Sequence, residues 1–329
     1  MPANLTPEYK AAEEAYKAAG SAQEKLVCLE RMLSTIPKHK GTEKMQADIK
    51  RRIARTREAI EKGGGGKKGF SVTVEPEGAA QVVLAGAPNA GKSALVEATT
   101  NARVEIGDHP FATRQPVPAM LAHLDLQLQL VDLPPISREY MEYWVTDVMR
   151  TADSAIWVID AADPDWPQAV DEVAGLLAER KLELIGPAAE RGSRQDIVRR
   201  LPALVVAAKA DEPIAAEQLP AIRDRFEPEY PLLAISALGD EDFGPLGRSL
   251  FELNRLLRVY SKSPGKEADK SRPYVMHRGD TVIDFARAVH KDFAQSLRYA
   301  RVWGAGKFDG QRVQRDQELV DGDVIELHI

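Results

Sequence analysis

The sequence predicts an α/β core preceded by amphipathic helices and followed by a small sheet module. Three observations carry this expectation. An apolar run, Gln81–Ala85, leads into GAPNAGKS (86–93) and then into a helix-forming stretch that ends about Thr99. Further apolar runs at 126–131, 204–207 and 232–235 each end in a polar turn. Helical periodicity marks residues 6–60, and strand, turn, helix and strand patterning returns in 273–329.

At the N-terminus, Thr6 is an N-cap with Pro7 at the first helical position, and Gly20 stops that helix. Ser21-Ala22-Gln23-Glu24 has capping-box spacing and restarts it, with Leu26, Leu29 and Leu33 on one face. Pro37 and Gly41 mark a turn. Thr42 then starts a third helix with Met45, Ile49, Ile53 and Ile60 on a narrow apolar stripe, while Lys44, Lys50, Arg51, Arg52, Arg55 and Arg57 occupy its other faces. Stripe against stripe predicts a helical hairpin with a basic outer surface, joined onward by the linker GGGGKKGF (63–70). Residues 1–69 hold 15 Lys/Arg and 9 Asp/Glu, whereas the other 260 hold 29 and 41. A one-signed excess in an acidic protein of net charge −6 points to phosphate contacts with nucleic acid, salt-dependent and weakly sequence-specific. The alternative is a solvated charged face. Membrane-surface binding is disfavoured, because the apolar stripe is narrow and lacks Trp or Phe.

GAPNAGKS fits the P-loop spacing G-x-x-x-x-G-K-[ST] in its strand-to-helix context. Gly86 and Gly91 let the backbone curl, so that the N–H groups of the loop through Ala87, Pro88, Asn89 and Ala90 surround phosphate oxygens. Proline at 88 contributes no N–H. Lys92 adds a mobile positive charge, Ser93 offers a hydroxyl to Mg²⁺, and Ala94 continues the helix whose N-terminus favours anions. The run Leu126–Val131 ends in Asp132-Leu133-Pro134-Pro135, and an aspartate at a strand tip beside a P-loop holds Mg²⁺ through water. Within HPFATRQPVP (109–118), Thr113 is the candidate to reach Mg²⁺ and a γ-phosphate. After Leu204–Ala207 comes Ala208-Lys209-Ala210-Asp211. Asp211 can accept from guanine N1 and N2 while the Lys209 stem packs on the base; adenine lacks those donors. The strand Leu232–Ile235 ends in Ser236-Ala237-Leu238, whose backbone N–H groups can meet guanine O6.

Toward the C-terminus, Ser261–Arg272 is polar, contains Pro-Gly and reads as a linker, taken as 263–272. A strand at 274–277, the turn Arg278-Gly279-Asp280, a helix Thr281–Phe293 capped by Asp280, and strands Ala300–Trp303 and Val324–His328 then predict one β-grasp module. It holds 8 basic and 9 acidic residues, so bulk charge does not draw it to RNA. Trp303, Tyr274 and Tyr299 read as core or rim positions rather than a base-stacking platform. His290-Lys291-Asp292 is given no catalytic role.

Five segments in this order resemble the G domain of translation-factor-class GTPases. With the helical N-terminus, the glycine linker and a C-terminal segment similar to a TGS domain, the whole chain resembles the DRG branch of the Obg-like GTPases. The expected layout is a basic helical hairpin and linker (1–69), a P-loop G domain (70–262), a linker (263–272) and a TGS β-grasp domain (273–329). The resemblance implies GTP and GDP as ligands, Mg²⁺, hydrolysis of GTP to GDP and phosphate with Lys92 and Thr113 in the catalytic set, and ribosomal RNA or the ribosome as partner. A protein activator is a further implied partner. Four positions bear on how far the family pattern carries over. The DRG insert is reduced, with only about forty residues between Asp163 and Leu204. Position 135 is Pro where the family has Gly, which removes a backbone donor to the γ-phosphate and a hinge. Ile136 stands where the Ras type has a water-orienting Gln, as other Obg-like proteins also have an apolar residue. Ala208 replaces the Asn that usually opens the base motif, a loss of about 0.5–1.5 kcal/mol. Asn89 occupies the position that binds K⁺ in some K⁺-dependent GTPases; its alternative role is to cap the loop. Slow intrinsic turnover, raised by a partner or K⁺, is expected. Two other readings stay open: an RNA- or ribosome-binding module with a nucleotide it barely hydrolyses, and an ATPase, against which Asp211 argues.

Composition narrows the classes. At 329 residues, two or three domains are expected, and 44% hydrophobic content is ordinary for a globular protein. No run is long and apolar enough to span a membrane, and MPANLTPEYK has no hydrophobic signal core. A single cysteine, Cys28, excludes an internal disulfide and suits a reducing cytoplasm. Six scattered histidines give no metal-ligand spacing.

Overall fold

The computed structural model describes residues 9, 12–13, 16–17, 22–36, 42–62, 74–100, 116–139, 141–240, 242–304 and 308–329. The chain divides into two compact units, residues 1–71 and 72–329.

In the first unit, helices α1 (Ala22–Thr35) and α2 (Glu43–Lys62) share a core of Leu29, Met32, Ile36, Ile49 and Ile53. Tyr9 and Ala12, which are also helical, join the same core, so the unit is more than a hairpin. The apolar stripe thus faces inward, and Lys50, Arg51, Arg52, Arg55 and Arg57 of α2 are exposed. Arg52 pairs with Asp48 at 2.8 Å, one turn away. Thr6, Gly20 and the glycine linker lie outside the described residues.

The second unit begins with a seven-stranded sheet. Its strands are β1 (Gln81–Ala85), β2 (Val117–His123), β3 (Leu126–Asp132), β4 (Ser154–Asp160), β5 (Leu182–Ile185), β6 (Arg199–Ala208) and β7 (Leu232–Ile235). The order is β2-β3-β1-β4-β6-β5, with β7 also paired to β6. Every pairing is parallel except β2 with β3, so the intervening helices α3 (Lys92–Thr99), α4 (Val145–Thr151), α5 (Trp166–Glu179), α6 (Pro213–Phe226) and α7 (Gly244–Leu253) cover both faces. Strand alternation sorts the core. Val83, Val131, Trp157 and Val205 meet α4, α5 and α6, whereas Leu84, Leu130, Ile156 and Val206 meet α3 and α7. At the strands' N-terminal pole, three helix C-termini are met by arginines. Arg199 donates to Arg150 O and Ala152 O after α4, Arg150 to Arg180 O and Lys181 O after α5, and Arg191 to Leu253 O of α7. Each guanidinium satisfies carbonyls that a helix end leaves unpaired and faces the negative end of its dipole.

The same unit ends in a five-stranded sheet, order β11-β10-β12-β8-β9, from β8 (Leu256–Lys262), β9 (Ala268–His277), β10 (Tyr299–Trp303), β11 (Gln311–Val313) and β12 (Asp323–His328). The first and last strands, β8 and β12, are parallel neighbours. Helix α8 (Val282–Val289) inserts Phe285 among Leu257, Val259, Met276, Val302 and Ile325. Two expectations are corrected here. The stretch read as a linker is a hairpin: β8 and β9 pair antiparallel, and only 263–267 connects them. The early part of β9, ADKSR, is an edge strand with little apolar signal. The helix is capped by Thr281 rather than Asp280: Thr281 and Asp284 form a capping box, while the Asp280 carboxylate accepts from His277 N at 2.8 Å. It also breaks at His290, whose extended backbone starts a separate short helix, α9 (Lys291–Ser296). Tyr274 meets Phe285 edge-on in the core, whereas Tyr299 and Trp303 are half-buried, with His328 and Arg312 against the first and Lys262 over the second.

The two sheets meet at the β2–β3 turn. Tyr260 OH donates to Asp125 at 2.5 Å, and Arg258 reaches both Asp125 and Asp321, at 3.1 and 2.8 Å. These bonds hold the Arg258 pKa above its ordinary value and the Asp321 pKa below, burial notwithstanding.

Candidate functional site

The predicted residues gather at the C-terminal ends of β1, β3, β4, β6 and β7, the edge where parallel sheets expose backbone and helix N-termini. Strand register sets the arrangement: Leu84 lies beside Asp132, Asp160 beside Ala208, and Ala208 beside Ile235. Residues from distant parts of the sequence therefore converge without any contact between them in sequence.

The loop after β1 is held in a shape that needs its particular residues. Asn89 and Gly91 have φ of 59° and 94°, the left-handed region where Asn is tolerated and Gly is free. A side chain at Gly86 would place its Cβ 2.4 Å from Val158 O, so only glycine lets the loop lie against β4. Asn89 is exposed at the loop tip. Lys92 is buried, and its Nζ donates to Gly86 O at 3.1 Å and Ala87 O at 2.9 Å. Burial lowers its pKa from 10.5 to about 8, partly opposed by the Asp132 carboxylate. Ser93 Oγ donates to Asp132 Oδ2 at 2.5 Å, and Asp132 is fully buried. A hydroxyl and a carboxylate side by side, next to a lysine and a helix N-terminus, suit a hard cation shared with phosphate oxygens. Among the described residues no group of three or more His, Cys, Asp and Glu could hold a metal by itself. That matches Mg²⁺, which keeps waters and phosphates as ligands.

The turn after Asp132 faces the loop. Pro134 and Pro135 have no N–H, and Ile136 N–H donates to Gly86 O at 3.1 Å. Thr113 lies outside the described residues.

On the other flank, Lys209 adopts φ of 58° and its Nζ lies 2.6 Å from Asp160 Oδ2. Asp160, at the tip of β4, is the residue that sequence reading missed; the only signal is its position at the end of the apolar run AIWVID. Its other oxygen accepts from Ala162 N at 2.9 Å. Asp211 is exposed beyond Lys209. The Ser236–Asp240 turn lies next to it: Ser236 N donates to Asp240 Oδ2 and Gly239 N to Ser236 Oγ, both at 2.8 Å. A Cβ at Gly239 would stand 3.9 Å from Asp211 Cβ. Ala237 is half-buried in that turn and Leu238 is 94% exposed. Ala208 is buried, and its Cβ would touch a Cβ on Gly91 at 3.3 Å, so the shortened base motif still abuts the phosphate loop. A cleft of about 310 Å³ lies beside the loop, lined by Ala87, Pro88, Trp157, Asp160, Asp163 and Trp166. The arrangement can bind a polyphosphate at Gly86–Ala94 and an acceptor-seeking base edge at Asp211 and 236–238.

Comparison with known proteins matches this architecture. Residues 81–186 match the family model of 50S ribosome-binding GTPases, and residues 257–329 match the TGS domain. The chain belongs to the GTP-binding proteins that join such a G domain to a TGS domain. It is 29% identical to an uncharacterized GTP-binding protein of Methanocaldococcus jannaschii, over 93% of each chain. Developmentally-regulated GTP-binding protein 1 of Xenopus laevis is 25% identical over 91% of this chain and 96% of its own. The first of these alignments runs over 365 positions, longer than the 329-residue chain, in keeping with a reduced insert. The solved YchF GTPase of Schizosaccharomyces pombe matches at 14% identity and a TM-score of 0.49, over 77% of this chain and 99% of that one. Among the described residues no helix is long and apolar enough to cross a membrane.

Proposed function

We propose that the protein binds GTP and GDP with Mg²⁺ at this sheet edge and hydrolyses GTP slowly, in the cytoplasm, in connection with ribosome or RNA binding. The observation that carries the reading is the convergence of Lys92, Ser93 and Asp132 with Asp211 and the 236–240 turn at the ends of neighbouring strands. Lys92 neutralises phosphate charge, the loop N–H groups orient the phosphates, and Asp211 selects guanine with backbone from 236–238. Ser93, Asp132 and Thr113 would hold Mg²⁺, which supplies charge neutralisation across the β- and γ-phosphates when bound. Ile136 is buried and apolar, and among the described residues no side chain stands as base or water-orienter. Turnover should therefore be slow without a partner. A K⁺ ion at Asn89 would add positive charge between phosphates, and the exposed loop tip leaves room for it. The exposed basic face of α2 supports RNA phosphate as the partner.

Calorimetric titration with GDP and with ADP in Mg²⁺, followed by turnover assays in K⁺ and in Na⁺, tests this. Tight GDP binding, weak ADP binding and slow K⁺-stimulated hydrolysis are expected. Equal binding of both nucleotides, or fast turnover in Na⁺ without a partner, would refute it. The two prolines after β3 favour one second reading, a nucleotide-bound RNA-binding module that barely hydrolyses. Single-turnover hydrolysis separates the two.

A further inference from the structure

We infer that the protein holds the di- and triphosphate forms of its nucleotide with nearly equal affinity, because the turn after β3 is latched to the phosphate loop and cannot answer a third phosphate. The inference rests on the nucleotide reading above.

A turn that senses a third phosphate must bring an N–H to it and move to do so. Pro134 and Pro135 have none to bring. The N–H of Ile136 is committed to Gly86 O at 3.1 Å, and the same carbonyl accepts from Lys92 Nζ at 3.1 Å. Swinging Ile136 toward the nucleotide would break a bond to the carbonyl that anchors Lys92. It would also withdraw a side chain that is 1% exposed from the core it shares with Leu133, Trp144, Val145 and Met149. Residues 132–144 contain no glycine to serve as a hinge, and two consecutive prolines hold φ near its preferred value. Helix α4, which starts at Val145 and contributes to that core, is therefore uncoupled from the third phosphate.

The test is titration of the full chain in Mg²⁺ with GDP and with the non-hydrolysable analogue GppNHp. The expected affinities agree within about threefold. A charge-assisted hydrogen bond from the turn would favour the triphosphate by about tenfold or more, and a preference of that size overturns the inference. Binding of neither ligand defeats the nucleotide reading itself and takes this inference with it. Amide exchange at Ile136 supplies a second readout: similar rates in both complexes are expected, and an acceleration of about tenfold with GppNHp overturns the latch. Pro135→Gly adds a donor and a hinge, so it should raise GppNHp affinity relative to GDP by about fivefold. Intact GDP binding with an unchanged ratio in that variant would also count against the latch.

Discussion

Lys92 makes nucleotide binding a proton-uptake reaction at mildly alkaline pH. Its ammonium is fully buried, and burial brings its pKa from 10.5 to about 8. The folded value lies below the unfolded one, so between pH 8 and 10.5 the unfolded chain holds more protons and stability rises with pH. At pH 7 the buried charge costs the empty protein about 3 kcal/mol. Phosphates next to Nζ favour the charged form, so nucleotide binding reverses the shift. At pH 8 the free protein carries half a proton on Lys92 and the complex carries a whole one, an uptake of about 0.5 proton per nucleotide. Affinity should fall by up to about tenfold per pH unit above pH 8. Calorimetry at pH 8 in Tris and in HEPES reads the uptake directly, because apparent enthalpies then differ by about half the difference in buffer ionisation enthalpy. At pH 6.5 the difference should vanish. Lys92→Arg keeps the charge but does not titrate, so it should bind without buffer dependence. Equal enthalpies in the two buffers at pH 8 for the wild type would refute the reasoning.

Other variants probe separate parts of the molecule. Ala208→Asn restores the side chain that the base motif lacks, at a buried position against Gly91, and should tighten GDP binding by about two- to tenfold with little change for ADP; an unchanged GDP affinity would show that the position no longer supports the base site. Phe285→Ala empties the centre of the C-terminal module, where the ring is 0% exposed, and should cost about 3–5 kcal/mol in urea unfolding. Arg258→Met strands the carboxylates of Asp125 and Asp321 and should cost about 2–4 kcal/mol, with partial recovery when Asp321→Asn is added. Failure to recover would mean that packing, not charge, holds the two sheets together there.

What was legible in the chain was local. GAPNAGKS is contiguous, and its chemistry is backbone curvature plus one lysine and one hydroxyl, so spacing alone announced it. Asp132 and Asp211 were legible because each closes an apolar strand with a recognisable turn. The β8–β9 hairpin was not, since the polar first half of an edge strand carries no period-two signal. Nor was the change of cap from Asp280 to Thr281, where two adjacent residues both suit the position and only the backbone path chooses. Asp160 was invisible as a partner of Lys209, because their 2.6 Å contact follows from the parallel pairing of β4 with β6.

By itself, the sequence determined the elements that short-range stereochemistry dictates: a glycine loop after a strand, amphipathic stripes at helical spacing, and prolines that carry no N–H. The tertiary structure alone decided which groups meet. It assigned the Ile136 amide to Gly86, set arginines on the ends of three helices, and locked the C-terminal sheet to the β2–β3 turn through Arg258 and Tyr260. The reason is physical: backbone preferences act over a few residues and are written in their order, whereas hydrogen bonds between strands and loops depend on register and burial, which exist only once the whole sheet has closed.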